Sequence, residues 1–125
     1  LQNDLLKIFK SLPTMDLSAV QKFSDLVAKR DGDKTWKNSI EITSRNIADI
    51  VEVFARNQEF CDRGYNNNEA KILTRLLELA SPQQWLEVWE TNNQLFAEAD
   101  TINLDRKQVM LSALTNIENT LRSSI

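Results

Sequence analysis

SPQQWLEVWETNNQLFAEA, residues 81–99, carries the strongest fold signal in the chain. The Ser81 hydroxyl can cap a helix, Pro82 suits the first helical position where no backbone N–H is needed, and Gln84 completes a capping box. The residues after the box have helical spacing. Trp85, Val88, Trp89, Leu95, Phe96 and Ala99 recur three and four residues apart, so they line one side of a helix. Asn92 stands in the middle of this apolar stripe. A buried amide there must find hydrogen-bond partners; the alternative is a place at the rim.

On the C-terminal side, a short link over 100–102 leads to Asn103, read as the cap of a sixth helix with Met110, Leu114, Ile117 and Leu121 on one face. In the other direction, Ile72, Leu73, Leu76 and Leu77 mark a fourth helix behind the loop 64–68, GYNNN, whose residues accept turn conformations. A long third helix is expected over 35–60. Trp36, Ile40, Ile47, Ile50, Val51 and Phe54 lie on one side of it, with Ile42, Val53 and Phe60 on another. A helix apolar on two sides belongs in the middle of a bundle. Residues 31–33, DGD, form the turn before it.

The second helix, capped by Asp16, carries Leu17, Val20, Phe23, Leu26 and Val27 and ends in Lys29 and Arg30, cations suited to the negative end of the helix dipole. The first, over 1–12, places Leu5, Ile8, Phe9 and Leu12 together and is stopped by Pro13, which lacks the next backbone donor. The sequence therefore predicts an all-α fold, a single bundle of five to six helices in one domain over 1–125. Its candidate core is Trp36, Trp85, Trp89, Phe96, Leu114 and Ile117. The tryptophans also admit a ligand-pocket reading, but each sits on a predicted apolar stripe, which favours packing.

A chain of 125 residues buries roughly two-thirds of its unfolded surface, enough to fold without a metal or disulfide. The single cysteine, Cys61, excludes an internal disulfide and supplies too few thiolates for a zinc or iron–sulfur site, which points to a reducing cytoplasm. No apolar run approaches the ~20 residues a membrane span needs, and no signal peptide opens the chain, so no membrane contact is expected. A net charge of -3 disfavours direct DNA binding.

Chemistry finds few footholds. Histidine is absent, which removes the commonest general base and metal ligand. Gly32 and Gly64 stand alone, with no phosphate-binding loop around either. The carboxylate pairs Asp31 with Asp33 and Glu59 with Asp62 satisfy the minimum for glycoside chemistry but read as surface residues. Cys61 without a histidine reads as a packing or rim residue. No catalytic, cofactor-binding or metal site is expected, and no small-molecule ligand.

Trp85, Trp89, Leu95, Phe96 and the stretch 103–108, NLDRKQ, are followed by an apolar run, and in this order residues 81–125 resemble the C-terminal domain of delta-prime subunits of bacterial DNA polymerase III, in their alphaproteobacterial form. The earlier part of the chain is similar in layout only. The resemblance implies a collar-like helical domain of the clamp loader, which places the sliding clamp on primed DNA. It implies the collar domains of the delta and gamma/tau subunits as partners. The ATPase-like modules of that family, their zinc-binding cysteines and the Ser-Arg-Cys motif are not in these residues, which fits a piece of a longer protein opening at Leu1. The alternative is an unrelated helical interaction or regulatory module.

The candidate subunit interface is Asn103, Asp105, Arg106, Lys107 and Gln108. Three successive charges within one turn cannot all face the core, so at least one is free to pair across an interface and set register. Helix-start electrostatics is the competing reading, with Asp105 complementing the dipole and both cations solvated.

Overall fold

The computed structural model describes residues 1–29, 32–102 and 104–123. Six helices succeed one another: α1 (Gln2–Ser11), α2 (Leu17–Val27), α3 (Asp33–Arg56), α4 (Asn67–Leu79), α5 (Pro82–Thr101) and α6 (Arg106–Ser123), with a 3-10 turn over Phe60–Arg63 and no strand among the described residues. The all-α expectation is met.

Helix starts obey their caps. Ser81 and Gln84 form the expected capping box, with Gln84 N–H donating to Ser81 Oγ at 3.1 Å and Ser81 N–H to Gln84 Oε1 at 2.9 Å. The Asp16 carboxylate accepts from the Ser18 and Ala19 amides at 3.0 and 3.3 Å. A further capping box starts α4: Asn66 and Glu69 exchange side-chain to backbone bonds, both at 2.8 Å. The loop expected over 64–68 is thus shorter, because Asn67 and Asn68 already belong to the helix.

Helix ends depart further from the sequence expectation. α3 stops at Arg56 rather than Phe60, because Asn57 adopts the left-handed conformation, φ 51°. The Gln58 amide then reaches back to the Val53 carbonyl at 3.0 Å, a closure that satisfies a carbonyl the helix leaves orphaned. α2 ends at Val27, so Lys29 lies beyond its last turn; Arg30 is outside the described residues. α5 continues through Asp100 and Thr101, which the sequence pattern places in the link.

α3 occupies the middle, as its two-sided pattern requires, packing along α5 and also against α2 and α4. Trp36, Ile47, Ile50 and Val53 are buried on it, together with the small polar residues Ser39, Thr43 and Asn46. Where they can, these polar groups bond locally: Ser39 Oγ donates to the Trp36 carbonyl at 2.7 Å, and Asn46 Nδ2 to the Ile42 carbonyl at 2.7 Å. α4 ties off α1, since the Arg75 guanidinium donates to the carbonyls of Lys10 and Leu12, among those left open past the end of that helix. Trp36 and Phe96 meet edge to face across the α3–α5 seam, with centroids 6.5 Å apart.

Of the candidate core, Trp36, Trp85, Phe96, Leu114 and Ile117 are buried. Trp89 is not. It is half-buried at the margin, because the buried side of α5 runs through Trp85, Val88, Asn92, Phe96 and Ala99 and Trp89 lies one position to the side of that line. Two residues assigned to apolar faces, Leu17 and Phe54, are exposed, at 72% and 55%. Each stands at a helix end, past the region its neighbours cover.

Candidate functional site

The stretch singled out as an interface opens α6. Asp105 is the residue that caps the helix: its Oδ1 accepts the amides of Lys107 at 2.9 Å and Gln108 at 3.2 Å. The sequence pattern gives this cap to Asn103, which lies outside the described residues. An acidic cap also complements the positive end of the helix dipole, so this part of the electrostatic reading matches the geometry.

The two cations after the cap bind within the domain. Arg106 pairs with Asp33 at the start of α3, Nη2 to Oδ1 2.7 Å, and its guanidinium stands over the Trp36 ring, 5.6 Å from the centroid. Lys107 pairs with Asp25 of α2 at 2.8 Å. Together they draw the start of α6 toward α2 and α3. Both partner carboxylates are well exposed, so each pair contributes only ~0 to 1 kcal/mol to folding. Gln108 is exposed. Beside the stretch, Ile102 and Leu104 leave apolar surface uncovered, 62% and 37% exposed respectively.

The other constellations have structural employment. Asn92 is buried and satisfied from both sides: Nδ2 donates to the Ala113 carbonyl at 3.3 Å, and Oδ1 accepts from Asn116 Nδ2 at 3.0 Å, which pins α5 to α6. Asp62 accepts the Glu59 amide at 3.1 Å as part of a capping box that opens the 3-10 turn. Asp33 serves Arg106, and Asp31 lies outside the described residues. Cys61 is exposed, with its thiol 3.5 Å from Asn67 Oδ1. Among the described residues, no three His, Cys, Asp or Glu side chains come together in a way that could hold a metal ion, and no helix is long and apolar enough to cross a membrane.

One cluster has no counterpart in the sequence reading. Asp49, buried on α3, accepts the Tyr65 hydroxyl at 2.5 Å and the Arg63 Nε–H at 2.8 Å. Tyr65, assigned to a loop, packs edge to face on Phe60 with centroids 5.9 Å apart. Burial, and then its bond to the Asp49 carboxylate, hold the Tyr65 hydroxyl well above its ordinary pKa. The bond to Asp49 likewise raises Arg63, ahead of the opposing effect of burial. The only signal available in the sequence is an acid on the inward side of α3, since Asp49 adjoins Ile50 and lies three residues beyond Asn46.

No family model, no curated protein and no solved structure matches this chain.

Proposed function

We propose that the chain is a non-catalytic oligomerisation domain of a clamp-loader subunit, joining subunits in the collar during sliding-clamp loading in the cytoplasm. The observation that carries the reading is the end of the bundle where α6 begins. There the stretch on which the likeness rests has its charges held in defined positions, beside the uncovered apolar side chains of Ile102 and Leu104. Fixed charges next to apolar surface suit subunit joining, in which the apolar contact supplies affinity and the charges fix register. Arg106 and Lys107 are held by exposed carboxylates, so a partner's carboxylates can replace or extend those pairs.

Charge reversal tests this. The variant Arg106→Glu with Lys107→Glu keeps its fold, because exposed pairs contribute ~0 to 1 kcal/mol each. In a desolvated interface the same change costs ~2 to 5 kcal/mol, a loss of about thirtyfold or more in assembly with the delta and gamma/tau subunits. Size-exclusion chromatography of the mixed subunits reads the outcome. Unchanged assembly by a folded variant removes this stretch from the interface.

A further inference from the structure

We draw no further inference here: the strongest candidate, the apolar groove between the end of α3 and α4 beside the exposed Phe54, is an unpartnered face, and nothing in the structure shows what covers it.

Discussion

Replacing Trp85 by alanine is expected to cost ~3 to 5 kcal/mol, the range for truncating a buried large aromatic side chain. Trp85 is buried between α4 and α5, and its Nε1–H donates to the Leu76 carbonyl at 3.2 Å. That carbonyl lies in the last turn of α4 and has no partner within the helix, so the substitution leaves both a cavity and an orphaned acceptor. Domains of this size have total stabilities of ~5 to 15 kcal/mol, so the variant should lose a large fraction of its stability and unfold at a clearly lower urea concentration. Urea denaturation monitored by circular dichroism at the helix band reads the loss. Trp89→Ala, four residues on but half-buried, is expected to lose less than about half as much. Equal losses for the two would contradict the placement of Trp85 at the centre and Trp89 at the margin.

Asp49→Ala is expected to cost ~2 to 4 kcal/mol, because it strips the acceptor from a buried tyrosine hydroxyl and from Arg63 at once. The lower part of the range for broken buried pairs applies, since Arg63 is partly exposed and water screens its share. Asp49→Asn keeps an oxygen for Tyr65 and is expected to cost less than the alanine variant. The same cluster has a pH signature. Tyr65 is held above its ordinary value in the folded state, so the stability this provides is fully present below about pH 10 and is lost as pH rises beyond it. Urea midpoints of wild type and Tyr65→Phe should therefore stay a constant distance apart up to about pH 10 and draw together above it. A separation that widens with pH would contradict the bond to Asp49.

How much of the fold is legible in the sequence depends on how far apart the interacting residues lie. Ser81 with Gln84, and Asp16 with the amides just beyond it, are pairs within one turn, and their chemistry can be read from spacing alone. Asn57 carries a signal as well, since asparagine tolerates the left-handed conformation, but it sits between helix-compatible neighbours and its closure needs only backbone groups. Leu17 and Phe54 fit the apolar period and are exposed nonetheless. Periodicity tells which residues share a face, not whether another helix extends far enough to cover it.

The site poses a different difficulty. The partners of Asp49 are 14 and 16 residues away, and those of Arg106 and Lys107 are more than seventy. Such pairs are set by the bundle's topology, which no local pattern encodes. The sequence at the α6 start therefore leaves two uses open for its charges. The structure has Asp105 serving the dipole and both cations paired with α2 and α3, a use of those cations that neither reading contains.

The subunit-joining reading rests on assembly. Native mass spectrometry of the chain mixed with purified delta and gamma/tau subunits should show a complex that includes one copy of the chain, and that complex should be diminished for Arg106→Glu with Lys107→Glu. A spectrum in which the folded chain appears only by itself, at concentrations where the other subunits assemble with one another, would contradict it.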